Sequence, residues 1–230
     1  MDDWVQLAIQ NNLDWYQEEC AAHGVKNTRS TTTWHTLEKM PPFHSNLIHD
    51  GDELPADIVA ALDRSVPPGW GIKEPRGVLD LTDQGFDLLF EAKWFVREPH
   101  ALTKPAASTP AGGARWVQSD AEFADWIDSW GETPDDEVVF RTRFWNAPRV
   151  HFLQTAENDG GLACNISPAC VGITNPWGDP LAINRCIRAI IERFPTYAIV
   201  GYDHMPNIDA LADLNFYSTG PLAIWLRSPQ

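Results

Sequence analysis

Asn175-Pro176-Trp177-Gly178-Asp179-Pro180 is the stretch on which the fold of this 230-residue chain turns. Three short apolar runs precede it, at 149–157, 160–166 and 170–174. Asp159-Gly160-Gly161 and Ser167-Pro168 punctuate them, the pattern of consecutive antiparallel hairpins. Asp179 is placed to cap a helix with Pro180 at its first position. Ile183, Cys186, Ile187, Ile190, Ile191 and Phe194 then recur at spacings of three, four and seven, which predicts an amphipathic helix. Arg185, Arg188 and Arg193 fall off its apolar face. Tyr197-Ala198-Ile199-Val200-Gly201 reads as a buried strand, 208–214 as a short helix and 222–226 as a last strand. The order is strand, strand, strand, helix, strand, helix, strand.

Working outward, Ser119-Asp120-Ala121-Glu122 is a capping box, and Phe123, Trp126, Ile127 and Trp130 follow at helical spacing, so 120–130 is a helix behind a short strand at 115–118. The small, Pro/Gly-rich stretch 101–114 carries no apolar period and reads as a linker or mobile loop. It divides the chain into an N-terminal helical and small-sheet region, 1–100, and a core, 113–230. In the first part a helix over 2–21 ends near Gly24, a second begins after Pro55, and 78–81 and 88–96 read as strands flanking Thr82-Asp83-Gln84-Gly85. No internal repeat is present.

With this order in place, residues 113–230, about half the chain, resemble the GCN5-related N-acetyltransferase superfamily, a mixed α/β (α+β) fold whose acyl-CoA sits where the fourth and fifth core strands splay apart. The first half resembles the leading region of divergent bacterial acetyltransferase-like proteins. Three strings carry that likeness: Pro41-Pro42-Phe43-His44-Ser45-Asn46-Leu47, Pro68-Gly69-Trp70-Gly71-Ile72-Lys73 and Leu88-Leu89-Phe90-Glu91-Ala92-Lys93-Trp94. The resemblance implies acetyl-CoA or another acyl-CoA as cosubstrate, no metal, and a small-molecule amine as acceptor. It places the pyrophosphate on the N–H groups of Trp177 and Gly178 beside Asn175, with Arg185 as a nearby cation. The thioester would lie against the backbone of Gly172, Ile173 and Thr174.

The chain also departs from that pattern. Two prolines remove donors from the loop, Asp179 puts a negative charge where phosphates are expected, and no Lys or Arg occurs between Arg149 and Arg185. The superfamily's general-acid tyrosine, four residues before a Gly-Phe pair, corresponds to Leu211 before Asn215-Phe216. Tyr202, Asp203 and His204, at the mouth of the fifth core strand, are the nearest titratable side chains, and His204 is the candidate base for an amine. Two functions remain open: an N-acyltransferase, or a catalytically degenerate fold used to bind a small molecule or protein.

Composition narrows the partners. Lys plus Arg total 17 against 32 Asp plus Glu, a net charge of −15 that repels nucleic acid and anionic membranes. No basic leader and no long apolar run stand in the sequence, so the cytoplasm is the expected location. The oligomeric state is not encoded legibly. Four cysteines, at 20, 164, 170 and 186, lack metal or redox spacing; they read as buried apolar groups, with a Cys164–Cys170 pair across the turn conceivable. Eleven tryptophans are unusual for this length. Trp34, Trp70, Trp94 and Trp145 are candidates for an aromatic acceptor pocket, the alternative being a core enlarged by big side chains. The mixed cluster of His44, His49, Asp50, Asp52 and Glu53 has no metal spacing and reads as a solvated loop.

Overall fold

The computed structural model describes residues 3–99, 113–131 and 138–228, so the stretch at 101–114 lies almost wholly outside the described residues. Its centre is a meander: β7 (Val150–Thr155), β8 (Gly160–Ile166) and β9 (Cys170–Gly178) pair antiparallel in sequence, and β6 (Ala114–Trp116) adds to the outer edge of β7. After β9 comes α5 (Pro180–Arg193), capped by Asp179 with Pro180 in the first turn as its sequence predicts. The chain then returns as β10 (Ala198–Asp203), parallel to β9, with Ala198, Ile199 and Val200 opposite Cys170, Val171 and Gly172. The last strand, β11 (Tyr217–Arg227), is longer than the apolar run 222–226 suggests.

The first half enters the same sheet. β5 (Phe86–Arg97) lies antiparallel between β10 and β11, and β4 (Gly71–Glu74) pairs with the far side of β11. Beyond it lie β3 (Leu47–His49), β2 (Thr33–His35) and β1 (Thr28–Arg29), so the described strands run 1-2-3-4-11-5-10-9-8-7-6. Strands of two to four residues carry too few positions for a period-two pattern, which is why β1 to β4 were not legible.

Two helices cover opposite faces. α1 (Trp4–His23), ended by Gly24 at φ 74°, packs on β5, β8, β9 and β10. α3 (Asp120–Trp130), with Ser119 Oγ accepting from Glu122 N, and the short α4 (Thr142–Trp145) join that side. Their core is aromatic: Trp15, Trp126, Phe140, Phe144 and Phe152 interlock edge to face. α5 packs on β6 to β9 over an aliphatic core of Leu153, Leu162, Val171, Ile187, Ile190 and Ile199. α2 (Ala56–Ser65) closes a third, smaller cluster around Trp70 and Phe86.

Some sequence expectations are corrected. Residues 78–81 form no strand: Asp80 accepts from Thr82 N and starts a 3-10 turn, Thr82–Gln84, ended by Gly85 at φ 80°. The helix expected at 208–214 divides into α6 (Met205–Asp209) and a 3-10 turn, Ala212–Leu214. Cys164 and Cys170 point to opposite faces, one in the aliphatic core and the other in the aromatic core, so they cannot bridge. All four thiols are free and buried.

Candidate functional site

Pairing between β9 and β10 stops at Gly172 and Val200, and beyond that point the two strands diverge. The register of β8 against β9 shifts between Gly161 and Ala163, which leaves three steps on β9 opposite two on β8. Asn175 takes a positive φ of 49°, and Pro176 offers no N–H. A regular strand shows alternate residues to one side, whereas here Ile173, Thr174, Asn175 and Pro176 all line one cavity. The bulge therefore opens the splay into a space of about 950 Å³, within the range of small-ligand sites.

The cavity has a wall on each side of the sheet. On the α5 side Phe95, Leu162, Ile183 and Ile187 make it apolar, and Pro180, Ile183, Asn184 and Ile187 are one face of the helix. Leu211, standing where the resembled family carries its tyrosine, adds a further apolar surface. On the α1 side lie Trp130, His44, Lys73 and Tyr202, and Trp70 of the α2 cluster borders a further end. Phe43 is 65% exposed and holds a positive φ of 67°, with its ring edge-on to Trp130. Two of the strings noted in the first half, 41–47 and 68–73, thus line much of the cavity.

Lys73 is the feature that sequence reading missed. It sits mid-strand in β4, all four of whose residues are buried, and is itself 1% exposed. Its Nζ donates to Asn12 Oδ1 at 2.9 Å and to Tyr202 Oη at 3.3 Å. It lies 4.9 Å from the Tyr16 ring centre and 4.4 Å from that of Tyr202. Burial without a carboxylate partner brings its pKa down to about 7. His44, also on the cavity wall, is held neutral by burial, its pKa pushed down to about 4. Behind it Glu19 Oε2 lies 3.6 Å from His44 Nε2, and burial raises the Glu19 carboxyl well above its ordinary range. The only sequence signal for Lys73 is a lysine inside a buried apolar run; its partners stand 61 and 129 residues away.

Of the residues singled out from sequence, Tyr202, Asp203 and His204 do meet at the cavity, with Ile173, Thr174, Asn175 and Trp70. Burial raises the Tyr202 hydroxyl to about 12, with Asp203 adding to the effect. Asp203 is committed to local structure: its Oδ1 accepts from His204 N and Asn207 Nδ2, which starts α6. His204 is exposed at the mouth, its ring 5.5 Å from that of Phe90.

The others lie off the cavity. Gly172 has no room for a Cβ, which would strike Asn11 Oδ1, and Gly178, at φ 85°, has none because one would strike the Asp159 carbonyl. Trp177 packs against Trp126. Arg185 points outward, its Nη2 donating to both carboxylate oxygens of Asp159 at 2.9 Å. Trp34 is wholly buried beside Tyr16, Trp94 donates to the Pro75 carbonyl, and Trp145 stacks on Phe123. Trp34 and Trp94 are buried packing residues, and Trp145 is half-buried at the edge of the aromatic core.

The start of α5 fits a phosphate poorly. Asp179 Oδ1 accepts from Leu181 N at 2.8 Å and Ala182 N at 3.4 Å, and Asp179 N donates to the Asp159 carbonyl. The chain's own carboxylate thus occupies the place where a helix N-terminus holds an anion. The apolar wall, by contrast, suits the arm of an acyl thioester. Among the described residues no group of three or more His, Cys, Asp or Glu is placed to hold a metal, and no helix is long and apolar enough to cross a membrane.

No family model matches the chain, and no curated protein matches it by sequence. Solved structures do. A GCN5-related N-acetyltransferase from Kribbella flavida superposes with a TM-score of 0.65 at 11% identity, covering 100% of this chain and 97% of that one. A conserved protein of unknown function from Staphylococcus epidermidis gives 0.61 at 12% identity, covering 90% and 95%. A protein named for the GNAT family, from Novosphingobium aromaticivorans, gives 0.54 at 9% identity, covering 93% and 96%. The chain has the GCN5-related N-acetyltransferase fold, and the likeness extends over both halves.

Proposed function

We propose that the chain is an acyl-CoA-dependent N-acyltransferase acting on a small-molecule amine. The observation that carries this reading is the bulged splay of β9 and β10 opening into a cavity with one wall on each face of the sheet. A donor arm lies along the apolar α5 wall and an acceptor against the α1 wall, so the two meet at the break. The acceptor nitrogen attacks the thioester carbon: a C–N bond forms, the C–S bond breaks, and the amine's surplus proton passes to the His204 imidazole directly or through water. Backbone at Ile173 to Asn175 is the nearest polar surface for the developing oxyanion. The four free thiols suit a reducing, cytoplasmic setting.

The Asp179 cap favours a second reading, in which the same cavity only binds a small apolar ligand. Calorimetric titration with acetyl-CoA and with acetyl-pantetheine separates the two. Acyl transfer predicts saturable binding of both, with less than about a tenfold loss on removing the nucleotide, since the phosphate corner contributes little. No binding of either thioester leaves the ligand-binding reading in place.

A further inference from the structure

Lys73 poses a charge problem that the acyl-transfer chemistry does not use. It is a buried amine on the cavity wall, its hydrogen-bond partners are the neutral Asn12 and Tyr202, and among the described residues no carboxylate lies within ion-pair distance. An ammonium has three N–H donors, and two are placed. Two aromatic faces favour the cation, while desolvation opposes it.

We propose that the Lys73 end of the cavity is a seat for a carboxylate, so that the acceptor is an amine that also carries a carboxylate, an amino acid in the chemical sense. The proposal rests on the acyl-transfer reading only for the word acceptor; the seat itself is a binding site. One buried cation between neutral neighbours matches a single negative charge, whereas a phosphate dianion would bring a second, uncompensated one. The seat also adjoins the reaction centre, because Tyr202 touches Lys73 and follows Gly201 where the strands part.

The titratable and charged groups around the seat are Tyr16 and Glu19 on α1, His44 before β3, Tyr202 and Asp203 on β10, His204 at the mouth, and Lys39. His44, with its pKa near 4, stays neutral above pH 6, and Tyr202, near 12, stays protonated below pH 10. Lys73, near 7 in the empty cavity, changes charge in that window, and Lys73→Met separates its titration from that of Glu19, whose carboxyl burial raises well above the ordinary range. A carboxylate stabilises its protonated form, so binding above pH 7 must take up a proton. Affinity then falls as pH rises, by up to about tenfold per unit.

The test is calorimetric titration of the full chain, without any thioester, with the proteinogenic amino acids and their carboxamides at pH 6.5 and 8.5, in buffers of different ionisation heat. At least one amino acid binds, at least about tenfold more tightly than its carboxamide. Binding weakens at pH 8.5 and takes up close to one proton there. Lys73→Met, which keeps the side-chain length, removes the preference for the acid, and Lys73→Arg retains part of it. Carboxamides binding as tightly as the acids, no acid binding at all, or tight binding at pH 8.5 without proton uptake overturns the seat. The wild-type pH and proton measurements stand even if a variant does not fold. If acids bind but acetyl-CoA does not, the acyl-transfer reading fails and the seat survives.

Discussion

The two faces of the sheet are built from different materials. Under α5 the core is mainly aliphatic and comes mostly from the second half, β7 to β10 with α5 and the turn before β11, joined by Phe95 of β5. Under α1 it is aromatic, gathered from α1, α3, α4 and strands of both halves, and it meets Lys73, His44 and Glu19. The difference separates the tasks of the cavity. An aliphatic wall takes a flexible apolar arm without specifying it, while rings and buried polar groups fix the orientation of a smaller partner. In this account the donor side is generic and the acceptor side specific.

The largest effect that should distinguish the faces is on stability. Trp126 is fully buried, touches four rings and donates to the Leu153 carbonyl, so Trp126→Ala should cost about 3–5 kcal/mol in urea unfolding. Ile190→Val in the aliphatic core should cost only about 0.5–1.5 kcal/mol. Equal costs would mean that the aromatic face is loosely packed.

Lys73 gives the next effect. Its folded pKa, near 7, lies below the ordinary 10.5, so between those values the unfolded chain binds more protons and stability rises with pH. The wild type should gain up to about 1.4 kcal/mol per pH unit from this group between pH 7 and 9. Lys73→Met should be more stable than wild type at pH 7 and lose that slope. An unchanged slope in the variant would assign it to another group.

How far sequence could see follows the same division. The second half was legible because its signals are local: hairpin turns, the Asp179-Pro180 cap and a helix of spacing three and four all fell where expected. Four features were hidden. β1 to β4 are too short for a period, and the β9 bulge depends on pairing with β8. Lys73 acquires its chemistry from Asn12 and Tyr202, far along the chain, and the roles of Gly172 and Gly178 are set by Asn11 on α1 and by the Asp159 carbonyl in the turn before β8. Sequence located Tyr202 and His204 at the cavity, because the end of β10 could be read. It could not say that Asp203 is spent on starting α6.

The smallest effect concerns the start of α5. Asp179→Asn keeps a capping side chain and removes a charge, so acetyl-CoA affinity should rise by about 0.3–1 kcal/mol, roughly two- to fivefold, read by calorimetry at low salt. Weaker binding would show that the aspartate helps the ligand rather than repelling it.

The central claim is that a thioester arm occupies the α5 wall of the splay. Ile183 faces that wall and is only partly buried, so Ile183→Trp fills the space with little strain on the core. Acetyl-CoA titrated into wild type should bind at one site, and the folded variant should bind at least about tenfold more weakly. Equal affinity in the two proteins, or no binding to wild type, would contradict the account.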